Sequence, residues 1–139
     1  MHKFDYSVKK QIQNPRKVYC IDNGFVSSGG FKIEDTLGRT LENLIFLELK
    51  RNSKEIYYFS EKKGCDFLIR QKNKITGAIQ VCYDLNEKNK DREINGLLEA
   101  LNKFNLNEGL IITYYQENDI KVENKKIKVV PAWKWLLKN

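Results

Sequence analysis

One histidine, His2, occurs in 139 residues. That scarcity excludes histidine-rich metal sites and argues against Ser-His-Asp catalysis. Cysteine is scarce too. Cys20, Cys65 and Cys82 are odd in number and lack CxxC spacing, so reduced thiols are expected rather than disulfides or a zinc site. No apolar run is long enough to span a membrane. The start, MHKFDYSVKK, is polar where the apolar region of a signal peptide would lie. A cytoplasmic protein with no membrane partner is the expectation. No internal repeat or low-complexity segment is visible.

Apolar residues make up 41% of the chain and charged residues 31%, a globular profile. The length fits one domain with a sizeable core. Net charge is +7, which permits attraction to nucleic acid or acidic partners. The lysines are spread through a chain rich in Lys, Asn, Ile and Glu, so the excess is also compatible with a compositional habit.

The stretch from Gly64 to Asp84, GCDFLIRQKNKITGAIQVCYD, organises the rest. Phe67, Leu68 and Ile69 form one apolar run, and Ala78, Ile79, Val81 and Tyr83 a second. Arg70 to Lys74 between them is turn-like, so a β-hairpin is expected. Asp66 opens the first strand. Gln80 and Cys82 are two residues apart on the second, hence on one face. An acid beside an alternating polar pair in an apolar hairpin fits a metal site built on a sheet, or one that has been lost.

Around the hairpin, residues 1–15 are polar and read as an arm or short helical lead-in. Lys17 to Asp22 reads as a strand ending in the turn Asp22-Asn23-Gly24, and Ser27 to Gly30 as a flexible loop. Thr36 to Arg51 predicts a helix. Leu37, Leu41, Leu44 and Ile45 form its stripe, Asp35 or Thr36 its cap, and Lys50 with Arg51 its basic end. Glu42 lies beside that stripe. Glu55 to Ser60 predicts a strand. A second helix follows the polar segment Asn86 to Arg92, with Ile94, Leu97, Leu98, Leu101 and Phe104 at helical spacing. Gly109 to Tyr114 reads as a strand buried on both faces. Ile120 to Val122 and Ile127 to Val130 predict a small terminal hairpin, and Pro131 to Leu137 a closing helix with Pro131 in its first turn. Trp133 and Trp135 are expected to close the core, with room for one to stay exposed. From Asp35 to Tyr114 the order is helix, strand, strand, strand, helix, strand, an α/β sheet flanked by helices.

That order, with Glu42 in the first helix, Asp66 starting the second strand and Gln80-Val81-Cys82 in the third, resembles the PD-(D/E)XK nuclease superfamily. GRTLENLIFLEL, GCDFLI, AIQVCYDL and IKVVPAWKWLL are similar to the domain of unknown function found C-terminal to archaeal-type AAA+ ATPases. The similarity runs from about Lys17 to the end, giving an arm over residues 1–15 and one nuclease-like domain over 16–139. The resemblance implies a restriction-endonuclease-like core with a central mixed sheet. It also implies a site of Glu42, Asp66, Gln80 and Cys82, in which Glu42, Asp66 and Gln80 would hold Mg²⁺ or Mn²⁺. Mg²⁺ wants hard oxygen ligands, and phosphodiester hydrolysis wants a metal-bound water and charge neutralisation. Here Gln80 stands where the superfamily has Glu and brings no charge. Cys82 stands where it has Lys, and a thiol supplies no fixed cation. Weak metal binding is therefore expected, unless Lys88, Lys90 or Arg92 brings a cation to the site. No GxxxxGK followed by Ser or Thr is present, so the ATPase partner implied by the resemblance lies outside this sequence, which reads as an excised domain or a free-standing relative. The expected function is a nuclease-like accessory domain of an ATPase that binds nucleic acid with a degraded metal site. An active Mg²⁺-dependent DNA endonuclease and a non-catalytic protein-interaction module are the alternatives.

Overall fold

Residues 1–19, 33–52 and 54–138 are described in a computed structural model of the chain. In chain order the elements are α1 (Val8–Gln13), α2 (Ile33–Arg51), β1 (Glu55–Phe59), β2 (Cys65–Gln71) and β3 (Lys74–Val81). There follow α3 (Lys90–Lys103), β4 (Glu108–Thr113), β5 (Asn118–Val122), β6 (Lys125–Pro131) and α4 (Ala132–Lys138). The strands form one six-stranded mixed sheet in the order β1-β2-β3-β4-β6-β5. The class is α/β, as the element order implies.

Alternation along the strands divides the core. Phe67 and Leu68 are adjacent in β2 and fully buried, yet belong to different clusters on opposite faces of the sheet. One cluster takes Leu41, Ile45 and Leu49 from α2, with Ala132. The other takes Ile94, Leu97, Leu98 and Leu101 from α3 and Phe104 from its C-cap, the whole set that the helical spacing singles out. Leu41, Ile45 and Leu49 recur every fourth residue and form the buried stripe of α2, while Leu37 is left at its exposed end. Trp135 packs against the α2 cluster and Trp133 is exposed.

Several boundaries differ from the sequence reading. Helix α2 begins at Ile33, so Asp35 and Thr36 lie inside its first turn rather than at its cap. The hairpin turn is only two residues. Lys72 and Asn73 take φ of 48° and 64°, the left-handed geometry that lets strands of natural twist meet in a tight loop. Lys17 to Tyr19 is irregular chain rather than strand. The rest of that proposed strand, its turn and the Ser27 to Gly30 loop lie outside the described residues. Pro131 ends β6 instead of opening a helix. The second hairpin is no small appendage either. β6 pairs parallel with β4 from Glu108↔Lys126 to Thr113↔Pro131, leaving β5 as the outer strand.

Two close approaches bear on the site. Gly96 of α3 lies so close to Gly64 that a Cβ there would meet the Gly64 carbonyl oxygen at 2.2 Å. This approach seats α3 on the start of β2. The N-terminal segment continues the sheet past β1: the Phe4 amide donates to the Tyr58 carbonyl at 2.8 Å, and the Tyr58 amide to the His2 carbonyl at 3.0 Å. Phe4 packs edge-on against Tyr57 and Phe104. After α1 the chain returns, and the Lys17 amide donates to the Met1 carbonyl at 3.0 Å.

Candidate functional site

The paired ladder of β2 and β3 ends at Phe67↔Ile79. Beyond it β3 keeps only its parallel pairing with β4, which runs through Ile79↔Leu110, Gln80↔Ile111 and Val81↔Ile112. Side chains bridge the gap that this leaves. The Val81 amide donates to Asp66 Oδ2 at 2.9 Å, and the Asp66 amide donates to Gln80 Oε1 at 3.1 Å. Both residues are thus fixed where the strands part.

Lys17 completes the first half of the site. Its Nζ lies 3.2 Å from Asp66 Oδ1 and 3.3 Å from Glu42 Oε1, and 5.4 Å from the centroid of the Tyr58 ring. The Tyr19 hydroxyl donates to the same Glu42 Oε1 at 2.6 Å, and its ring stacks on Phe46 at 4.1 Å. Burial, then the charge of Glu42, raises the Asp66 carboxyl to about 6, with Lys17 pulling the other way. The Lys17 ammonium is favoured above its usual range because the two carboxylates outweigh its burial. Burial and Glu42 push the Tyr19 hydroxyl upward, so it serves only as a donor.

Glu93 of α3 completes the second half. It is 6% exposed, a buried acid. Gln80 Nε2 donates to its Oε2 at 2.6 Å, and Arg92 Nη2 to its Oε1 at 2.8 Å. Both ends of the Gln80 amide are therefore committed, its oxygen to Asp66 and its nitrogen to Glu93. A glutamate at position 80 would have no proton to offer Glu93 at neutral pH, which gives the amide a local structural reason. Cys82 sits in the α3 cluster, with its thiol 3.3 Å from the Asp84 carbonyl and 3.5 Å from Asn89 Nδ2. Burial and Glu93 raise this thiol to about 11, so it is a neutral side chain near pH 7.

Glu42, Asp66, Gln80 and Cys82 all line one open cavity of about 800 Å³, together with Arg92 and Glu93. A second cavity of about 550 Å³ shares Asp66, Gln80 and Arg92 with it and adds Lys17, Lys62 and Lys63. The two adjoin at these three shared residues and make the two limbs of one cleft region. Of the cations suggested by sequence proximity, only Arg92 reaches this cleft. Lys90 lines a separate small cavity beside Gln116, and Lys88 is exposed.

The donor set does not fit Mg²⁺ as arranged. Glu42 and Asp66 share Lys17, the Gln80 oxygen is taken by a backbone amide, and Cys82 is a soft, protonated thiol. No cluster of three or more His, Cys, Asp or Glu among the described residues is arranged to hold a metal. Sequence reasoning missed Lys17, Tyr19 and Glu93. Glu93 had a signal: it stands four residues before Leu97 and eight before Leu101, on the apolar stripe itself. Lys17 had none, since it reaches Glu42 and Asp66 from 25 and 49 residues away along the chain.

A mixed α/β sheet with an ion-paired acidic cleft defines a structural class. Within that class the chain belongs to the family described as a domain of unknown function, DUF4143, which matches residues 37–135. An uncharacterized protein of Methanocaldococcus jannaschii is similar to it, 41% identical over 144 residues, covering 96% of this chain. The chain spans 32% of the length of that relative. No described helix is long and apolar enough to cross a membrane.

Proposed function

We propose that this is a nuclease-like accessory domain of an ATPase that binds nucleic acid and whose hydrolytic site has become an internal ion pair. The observation that carries the reading is the Lys17 ammonium lodged between Glu42 and Asp66. A protein cation bridges the two carboxylates that a hydrolytic metal would need and offsets part of their charge. The order α2-β1-β2-β3-α3-β4 supports a restriction-endonuclease-like core, since it is the order that the superfamily resemblance implies. Lys62, Lys63 and Arg92 beside Lys17 offer cations to a phosphate backbone. The chain spans about a third of its Methanocaldococcus relative, which leaves room in that protein for an ATPase module. A cytoplasmic setting accords with this reading.

The test pairs a plasmid-nicking assay in Mg²⁺ or Mn²⁺ with a salt titration of DNA binding. Binding that weakens steeply with salt, without nicking, is expected. Nicking by the wild type that is lost on Asp66→Ala would instead favour an active Mg²⁺-dependent DNA endonuclease. Lys17 is the residue that second reading would rely on, because a lysine does stand at the acids although position 82 holds none. Absence of binding at low salt would leave a non-catalytic protein-interaction module.

A further inference from the structure

Tyr83, Tyr114 and Tyr115 lie just beyond the C-terminal ends of the parallel strands β3 and β4. The rings of Tyr83 and Tyr114 stack at 4.9 Å with 13° between planes, and Tyr115 stands edge-on to Tyr114 at 6.3 Å. Tyr114 and Tyr115 are 55% and 64% exposed. The loops beneath them are clamped. The Tyr114 amide donates to the Tyr83 carbonyl at 3.1 Å. The Gln116 side chain accepts from the Leu85 amide at 2.7 Å and donates to its carbonyl at 2.8 Å. Thr113 Oγ1 closes the turn by donating to the Gln116 carbonyl and accepting from its amide, both at 2.9 Å. Exposed rings on a clamped backbone, one of them stacked on Tyr83, suit a partner with a flat face.

Charge decides which partner. Tyr83 and Tyr115 line the limb that also holds Asp35, Glu42, Asp66, Asp84 and Glu93 against Arg39 and Arg92, a wall whose acids outnumber its cations and disfavour phosphate. The cations Lys17, Lys62 and Lys63 line the other limb. A single strand carries phosphates along one side and unstacked bases along the other, so it can satisfy both walls. A duplex presents phosphates on both flanks of its bases and would set one row against the acids. Gly38 also lines the acidic limb.

Resting on the nucleic-acid reading above, we propose that Tyr114 and Tyr115 form a stacking platform for unpaired bases. The ligand is single-stranded nucleic acid with its backbone on Lys62, Lys63 and Arg92. Fluorescence anisotropy of a short labelled oligothymidylate and of a duplex, at equal salt, tests it. The single strand binds more tightly. Tyr114→Ala and Tyr115→Ala each weaken it roughly 5- to 100-fold with the salt slope unchanged, because stacking is removed while the cations that hold the phosphates stay in place. Tyr114→Phe and Tyr115→Phe, which keep the ring, retain binding. Both rings are exposed, so the variants should melt like wild type, and a melt confirms it. Single-strand binding indifferent to both alanine variants, or tighter binding of the duplex, overturns the platform while leaving nucleic-acid binding in place. No binding of either probe removes the nucleic-acid reading and the platform with it.

Discussion

The two limbs of the cleft share Asp66, Gln80 and Arg92, yet their remaining walls differ in sign. One is lined by Lys17, Lys62 and Lys63, with Asp66 its single acid among the described residues. The other is lined by Asp35, Glu42, Asp84 and Glu93 besides Asp66, against Arg39 and Arg92. A chain of net charge +7 has therefore gathered five of its 18 acidic residues in one place. Net charge alone says nothing about such sorting, and it is the sorting that a polyelectrolyte ligand would feel. The seam is made by neighbours in sequence: Arg92 and Glu93 are paired at 2.8 Å, Arg92 lining both limbs and Glu93 only the acidic one.

The sharpest way to break both limbs at once is at the helix that carries the seam. Gly96→Ala puts a methyl within 2.2 Å of the Gly64 carbonyl oxygen, a backbone atom with little freedom to yield. A loss of about 3 kcal/mol is expected in urea denaturation, with α3 displaced from β2. Lys17→Met breaks the comparison from the basic side. It leaves Glu42 and Asp66 facing each other without their cation, at a cost of about 2 kcal/mol at pH 7. The loss should shrink at pH 5, where Asp66 takes up a proton. In the same variant Mn²⁺ should raise the melting temperature, as it should not in wild type.

Asp66 gives the next effect. Burial and Glu42 raise its carboxyl from 3.8 to about 6, so the folded chain holds this proton more tightly than the unfolded one. The group thus removes stability as pH rises from about 4 to about 6, by on the order of 2 kcal/mol, and none of that loss is present below pH 4. Asp66→Asn should flatten this part of the stability profile, measured against wild type by denaturation at stepped pH. Lys62→Ala with Lys63→Ala should leave stability near wild type and reduce the salt slope of DNA binding by about 1 for each phosphate no longer neutralised. The smallest effect belongs to Gly38→Ala. Among the described residues no atom outside its own helix turn lies within 4 Å of the added methyl, so thermal melts should show a gain of roughly 0.5–1 kcal/mol from helix propensity.

The parts of this fold legible in sequence are those with a local period. The stripes of α2 and α3, the alternation of the β2-β3 hairpin and the doubly buried β4 each follow from side chains a few residues apart. Insertion of β6 beside β4 was not legible, because a strand's own pattern does not name its neighbour. The site divides in the same way. Glu42, Asp66, Gln80 and Cys82 were readable as residues on predicted elements and do line one cavity. Lys17 sits on irregular chain and acquires its meaning only through ion pairs made after the sheet has formed. Gln80 reads in sequence as a lost glutamate, whereas its surroundings show an amide bridging a backbone donor and a buried carboxylate.

The N-terminal segment ties this chemistry to the border of the sheet. His2 to Phe4 occupy the outer side of β1, and Lys17 hangs from the Met1 carbonyl behind them. Local opening that peels this segment away therefore does two things in one event. It bares the hydrogen-bonding groups of a strand, and it withdraws the ammonium from between two carboxylates. The electrostatic state of the cleft floor is in this sense a reporter of edge fraying. Whatever grips or strips the first few residues changes what the acids can bind, without touching them.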